Sequence, residues 1–199
     1  DVFADLTDSG INFSDFAESK VANSIRDGKN YGVPYDSNTV IACYRTDYLE
    51  KAGYTIDDLT DITWDRFIEI GKDVLDKTGM PMLTNVQGEP DLLNMILQSA
   101  GISVFNEDGS IAIADNEGLK EAMNVYMELI NAGILQEQTD WSGYQGSINN
   151  GSVVGTINGS WICATIKSTD QAEQEGNWAV TNMPKLNDYP GATNYSAQG

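Results

Sequence analysis

The stretch YGVPYDSNTVIACY, residues 31–44, joins an extended segment to an apolar one. In the first part, Pro34 disfavours helix at Val33 and Gly32 interrupts any regular pattern, so the backbone is expected to be extended. Residues 39–44 are almost wholly apolar and rich in β-branched side chains. Such a run is typical of a strand that is buried on both faces. The stretch therefore predicts an extended approach to a strand inside a sheet covered by helices.

Amphipathic helices and short apolar strands alternate on both sides of this stretch. Helices are predicted at residues 14–26, 47–52, 64–77, 90–100, 116–131, 144–149 and 161–166, with Ser14, Thr63 and Asn116 as N-caps. Strands are predicted at 82–84, 153–157 and 178–181, and a hairpin joins 103–105 to 110–113. This alternation predicts the α/β class, with a central sheet flanked by helices.

Composition excludes several functions. The chain has 199 residues, 41% of them hydrophobic, which is ordinary for a globular protein. Its 30 acidic and 11 basic residues give a net charge of −19, which argues against nucleic acid and against anionic membranes as partners. The longest apolar runs are a few residues, too short to span a bilayer.

The chain has no histidine, so the common catalytic and metal-binding constellations are missing. Ser-His-Asp triads, Cys-His dyads and His-ligated zinc sites are all excluded. Cys43 and Cys163 are either one disulfide or two buried thiols, and no Cys-x-x-Cys motif occurs. Residues 106–117 have the length of a calcium loop, but its sixth position holds Ile111 where glycine is required. No metal or cofactor is predicted.

Acidic residues at breaks between elements and aromatic residues near loops are the candidate binding groups. Asp36 precedes the buried strand and Glu89 precedes the helix that begins near Pro90, the positions where α/β proteins place ligand contacts. Trp64 and Tyr126 lie on amphipathic stripes and are predicted to be core residues. The aromatic residues in or beside loops either bind a sugar or pack: Tyr35, Trp141, Tyr144, Trp161, Trp178 and Tyr195.

Four stretches in order carry a resemblance to a known family. They are residues 31–44 with Tyr48-Leu49, residues 63–67, residues 108–111 with the helix ending at residues 129–133, and residues 155–161 followed by residues 178–184. Together they resemble the extracellular solute-binding proteins of ABC importers, of the maltose-binding type. The resemblance covers nearly the whole chain.

The resemblance implies a lobe of a two-lobed periplasmic-binding-protein-like fold, type II. On that interpretation residues 1–34 end a first-lobe segment, residues 35–190 form the second lobe, and residues 191–199 begin the return to the first lobe. Both ends of the sequence are then expected to be cut. The implied protein is monomeric and extracellular or periplasmic, with lipoprotein anchoring at the cell surface. Its partners are a carbohydrate and the membrane permease.

The resemblance also implies ligand-binding residues and no catalytic residue. Trp161 matches the stacking tryptophan of the sugar cleft, and Asp36 and Asn38 match polar groups at the hinge. Glu89 and Asp91 lie in the loop before a helix, where the aromatic residue of relatives is missing. Tyr35 and Tyr195 complete the candidate set. Because that loop aromatic is absent, a maltodextrin ligand is not assumed.

Two other functions stay open on the sequence. A carboxylate-based glycoside hydrolase needs two carboxyl groups roughly 5–10 Å apart across a cleft. On that hypothesis, replacement of Asp36 or Glu89 abolishes turnover and spares binding. An interaction module without a small-molecule site is the third possibility, and it predicts no thermal shift with any sugar.

Overall fold

A computed structural model describes residues 2–189 of the chain. The strands are β1 (Ile25–Arg26), β2 (Lys29–Asn30), β3 (Val40–Arg45), β4 (Leu83–Val86), β5 (Leu135–Gln138), β6 (Gly155–Gly159) and β7 (Trp178–Thr181). The α-helices are α1 (Glu18–Asn23), α2 (Thr46–Ala52), α3 (Trp64–Thr78), α4 (Asp91–Ser99), α5 (Glu117–Asn131), α6 (Trp141–Asn149) and α7 (Ile162–Lys167). Within these described residues, no helix has both the length and the apolar character needed to cross a bilayer.

Strand β3 is the middle strand of a three-stranded sheet with the order β6-β3-β7. Both neighbours run antiparallel to it, with Ala42 opposite Ile157 on β6 and Thr181 on β7. Cys43 and Tyr44 of β3 are completely buried. The prediction of a central, doubly covered strand is therefore confirmed. Strands β4 and β5 form a second, parallel pair.

Helices cover both faces of the central sheet, so the predicted α/β fold is confirmed. Successive side chains of a strand point to opposite faces, and β3 shows this directly. Ala42 and Tyr44 belong to a large core that includes apolar residues of α2, α3, α4 and α5. Cys43 belongs to a small core, together with Tyr144, Ile148, Val153, Ile162 and Ile166, four of which lie on α6 and α7.

Local capping signals in the sequence predict the long helices well. Thr63 caps α3 by accepting a 3.3 Å hydrogen bond from the Arg66 amide. Asn116 caps α5 in the same way, through the Leu119 amide at 3.0 Å. Trp64, at the start of α3, is 1% exposed and is a core residue as predicted.

The predicted helix at residues 14–26 is confirmed at its centre and wrong at both ends. Residues Phe13–Asp15 form a 3-10 turn, and only Glu18–Asn23 is α-helical, with no buried residue. Strands β1 and β2 then form a hairpin across Asp27 and Gly28, whose φ angles are 52° and 75°. A turn with two left-handed residues favours a hairpin, and it competes with the helical pattern there. The predicted hairpin at residues 103–113 is reduced to one bridge, between Phe105 and Ile111.

Substitution of Gly155 directly tests how tightly β3 and β6 pack. A Cβ atom at this position would collide with the Cys43 carbonyl oxygen and the Tyr44 ring. We expect Gly155→Ala to lower the free energy of unfolding by at least about 2 kcal/mol, measured by urea unfolding. Gly146 is the matched control, because a Cβ there meets nothing within 4 Å. Gly146→Ala should raise stability by about 0.5–1 kcal/mol, since alanine favours the interior of α6. Equal effects at both positions would contradict this packing.

Candidate functional site

Helix α6 presents two aromatic rings on one face. Asp140 caps the helix by accepting a 2.8 Å hydrogen bond from the Gly143 amide. Trp141 and Tyr144 are three residues apart, so they lie on the same side of the helix. Their rings stack at 4.8 Å with an interplanar angle of 19°. The cap therefore sets the start of α6 at Trp141, the first of the two stacked residues.

Trp161 joins this pair and completes what we call the aromatic cluster: Trp141, Tyr144 and Trp161. Its ring lies 5.5 Å from the Trp141 ring, tilted by 50°. Trp141 is 44% exposed and Tyr144 is buried, while Trp161 is half-buried. The cluster therefore has a buried base and two indoles that reach the surface.

Tyr144 is held in place by a buried polar network. Its hydroxyl lies 2.6 Å from the Thr156 hydroxyl and accepts a 3.0 Å hydrogen bond from the Asn158 amide group. Asn158 in turn accepts from the Gly159 amide at 2.8 Å. Burial raises the pKa of Tyr144, although the bonds to Thr156 and Asn158 act in the opposite direction. The phenol is thus a neutral, oriented support for the ring stacked on it.

Strand pairing brings the segment before β3 next to the turn that carries Trp161. Val40 lies opposite Gly159, and the Ser160 amide donates a 2.9 Å hydrogen bond to the Thr39 carbonyl. The Ser160 hydroxyl donates to Asn38 Oδ1 at 2.7 Å, and Asn38 Nδ2 donates to Asp36 Oδ2. The chain of hydrogen bonds leads from the exposed Asp36 carboxylate, through buried Asn38, to the residue before Trp161.

Gly159 lets the Trp161 indole fold against the end of β6. A Cβ atom at residue 159 would lie 2.6 Å from Trp161 Nε1. Only glycine leaves space for so close an approach of a ring to the backbone. The orientation of Trp161 therefore depends on the residue two positions before it.

The other predicted site residues, Asp91, Glu89, Tyr35 and Tyr195, are not joined to this hydrogen-bonded group by any contact described above. Asp91 is the first residue of α4, and its charge is the smallest of the influences that raise the pKa of Tyr144. Glu89 is exposed, and its backbone carbonyl accepts a 3.4 Å hydrogen bond from Asn85. Tyr35 is completely exposed. Tyr195 lies outside the described residues.

The sequence placed Trp141 and Tyr144 among loop aromatics but did not select them as site residues. The structure puts both on a helix, and the signal that could have found them is the cap at Asp140 followed by aromatics three residues apart. Trp178 is on β7 instead, where its Nε1 donates a 3.1 Å hydrogen bond to Gln174. It lines a separate cavity of about 650 Å³, which no ring of the aromatic cluster lines.

The aromatic cluster and the Asp36–Asn38–Ser160 hydrogen bonds offer groups that are suited to a neutral polar molecule. Aromatic faces accept the C–H face of a sugar ring, and carboxylate, amide and hydroxyl groups bond its hydroxyls. Asp36 and Asp91 also make the edge unfavourable for an anion. Within residues 2–189, no group of three or more acidic or cysteine side chains is placed to hold a metal ion.

Comparison with known proteins gives the class to which this fold and site belong. Solved structures share the fold of this chain over nearly its whole length. The GacH receptor of Streptomyces glaucescens has a TM-score of 0.80 at 22% identity, over 95% of this chain and 49% of that one. A binding protein from B. animalis subsp. lactis, solved with β-1,6-galactobiose, also has a TM-score of 0.80, at 21% identity over 96% of this chain and 48% of that one.

The chain belongs to the bacterial extracellular solute-binding protein family, whose pattern it matches over residues 1–199. The lactose-binding protein of Rhizobium radiobacter is 42% identical over 197 residues, which is 99% of this chain and 46% of that protein. The arabinooligosaccharide-binding protein of Bacillus subtilis is 28% identical over 117 residues, 58% of this chain and 26% of that protein. The chain spans about half the length of the lactose-binding protein. The family resemblance predicted from the sequence is confirmed.

The polar network under the aromatic cluster makes a testable contribution to stability. Tyr144→Phe removes the hydroxyl, so the buried side chains of Thr156 and Asn158 each lose a hydrogen-bond partner. We expect the free energy of unfolding to fall by about 1–3 kcal/mol, measured by urea unfolding. Tyr35→Phe is the control, because that tyrosine is completely exposed, and it should change stability by less than about 0.5 kcal/mol. An unchanged urea midpoint for Tyr144→Phe would contradict this prediction, because the buried hydroxyl would then not contribute to stability.

Proposed function

We propose that this chain forms one lobe of the carbohydrate-binding component of an ABC importer. The observation that carries the proposal is the aromatic cluster, whose two surface indoles stand beside the Asp36–Asn38–Ser160 hydrogen-bond chain. A flat apolar face next to oriented polar groups is what a sugar requires. The names of the lactose-binding and arabinooligosaccharide-binding relatives support the same ligand class.

The lobe consists of residues 35–190, and residues 1–34 belong to a first lobe. Core composition supports this division, since among residues 2–189 both hydrophobic cores draw only on side chains from Val40 onward. Residues 31–38 then form the first hinge crossing, and the return to the first lobe predicted at residues 191–199 lies outside the described residues. The ligand lies between the lobes, in contact with the hinge at Asp36 and Asn38.

The mechanism is binding without chemistry. The two lobes rotate about the hinge and close on the sugar, which excludes water from its contacts. Closure is favoured only by the contacts that the ligand gains in the closed form. Trp161 and Trp141 supply stacking on this lobe, while Asn38, Asp36 and Asp91 select a neutral ligand. Glu89 and Tyr35 contribute at the rim.

The closed, loaded protein delivers its sugar to the membrane permease. It works as a monomer outside the cytoplasm, anchored at the cell surface as a lipoprotein or free in a periplasm. A glycoside hydrolase is the less favoured alternative, because the groups held most firmly at this edge are rings and amides rather than a pair of carboxyl groups. The curated relatives are named as binding proteins.

Calorimetric titration of a two-lobed protein containing this chain tests the proposal. Neutral disaccharides, lactose first, are titrated into the wild type and into Trp161→Ala. We expect the wild type to bind and the variant to lose at least about tenfold in affinity, because a stacked aromatic in a largely desolvated site is a typical hot spot. Phe105→Ala, which removes an exposed ring outside the aromatic cluster, is the matched control and should bind normally.

Two further results separate the alternatives. Release of a cleaved sugar by the wild type, detected by chromatography of the titrated mixture, would establish a hydrolase. Absence of binding across a panel of neutral mono- and disaccharides would favour an interaction module. If the wild type and Trp161→Ala bound the same sugar with equal affinity, the proposal of sugar binding would stand. The assignment of the site to the aromatic cluster would be wrong.

A further inference from the structure

A cavity that shares no lining residue with the aromatic cluster lies on the small-core side of the sheet. Its volume is about 650 Å³, and it lies between α7, the turn at residues 169–176 and strand β7. Its lining includes Trp178, the exposed Val180 and, at its inner wall, the two cysteines of the chain. Both cysteines of the chain therefore line the same cavity, although Cys43 itself is completely buried.

The two thiols are neighbours across the packing of α7 on β3. Cys43 is completely buried on the middle strand, and Cys163 is partly exposed in the first turn of α7 and packs against the same small core. Burial raises the pKa of Cys43 to about 12, and the neighbouring Cys163 side chain contributes to the rise. Residues so far apart in the sequence meet only because the fold brings them together.

We propose that Cys43 and Cys163 are a redox-active pair that forms an intramolecular disulfide by exchange with a small-molecule disulfide. Cys163 is the first nucleophile, because it is the more exposed of the two cysteine residues. Cys43, on the strand that is paired on both sides, is the resolving thiol. The family is extracellular, and disulfides persist outside the reducing cytoplasm.

The exchange proceeds in two balanced steps. The Cys163 thiolate attacks one sulfur of the small disulfide, forms a mixed disulfide and releases one small thiolate. Cys43 then gives up its proton as its sulfur attacks the Cys163 sulfur, closes the Cys43–Cys163 bond and releases the second small thiolate. The two protons lost by the cysteines pass to those two leaving thiolates. The cysteines lose two electrons together, and the small disulfide gains them.

The bond would tie the start of α7 to the middle of the sheet. Trp161 is the residue at the N-cap of α7, two positions before Cys163. A covalent link at Cys163 therefore restrains the turn that presents the Trp161 indole. It also closes a long loop of chain, which constrains the unfolded state.

Incubation of the folded chain with oxidised glutathione tests the proposal. After quenching, the chain is unfolded, free thiols are alkylated, and the products are identified by mass spectrometry and peptide mapping. We expect both thiols to be lost, no glutathione to be retained, and a peptide linking Cys43 to Cys163 to appear. The melting temperature of the oxidised chain should be higher by roughly 5–10 °C, and dithiothreitol should reverse the shift.

Two variants separate the roles of the cysteines. Cys43→Ala should stop the reaction at a stable glutathione adduct on Cys163, and Cys163→Ser should leave Cys43 largely unmodified, because Cys43 is buried. Cys163→Ser replaces a partly exposed residue, so it provides a folded control even where Cys43→Ala does not fold. Two glutathione adducts on the wild type, a lasting adduct on Cys163 alone, or two alkylated cysteines after prolonged incubation would each overturn the proposal.

Discussion

Antiparallel pairing between β3 and β6 positions most of the residues of the proposed binding site. The register sets Val40 opposite Gly159, and the hydrogen bonds that follow bring residues 36–39 against Ser160. A shift of one residue would turn the side chains of β3 to the wrong faces. It would also separate the Asp36–Asn38 pair from Trp161. The assignment of β3 side chains to the two hydrophobic cores therefore depends on this one register. The set of residues that meet at the proposed binding site depends on it as well.

Tyr144 connects the interior of the protein to its binding surface. Its ring lies under Trp141, while its hydroxyl is bonded to Thr156 and Asn158 on β6. Buried polar groups are costly unless they are satisfied, and when they are satisfied they favour a single arrangement. The indoles at the surface are therefore oriented by a network that solvent does not reach. This rigidity suits a site that selects a ligand by the fit of a flat ring face.

Helix α7 carries different chemistry on its two sides. Trp161, at its N-cap, faces the aromatic cluster, and Cys163 in its first turn faces the cavity beside β7. Gly159, just before the helix, admits the indole close to the backbone. Changes in how this short helix sits on the sheet would reach both places at once. The helix is thus the element through which the proposed thiol pair and the proposed sugar site would influence each other.

The sequence by itself determined the features that arise from local physics. The apolar run before Arg45 identified the central strand, and the caps at Thr63 and Asn116 located the starts of two long helices within a residue. It was wrong at residues 14–26, where a turn with left-handed Asp27 and Gly28 outweighed a weak helical pattern. It also missed β5, because the polar sequence of Leu135–Gln138 has no strand signal and pairs with β4 only in the fold.

Only the tertiary structure decided which separated side chains act together. Asp36, Asn38 and Trp161 were selected from the chain one by one, but their hydrogen-bonded connection is a product of strand register. Trp141 and Tyr144 acquire their role when α6 packs on β6, and Cys43 meets Cys163 when α7 packs on β3. Periodicity and capping depend on neighbours along the chain, so sequence contains them. Contacts between distant segments depend on how whole layers pack, and no local pattern encodes that.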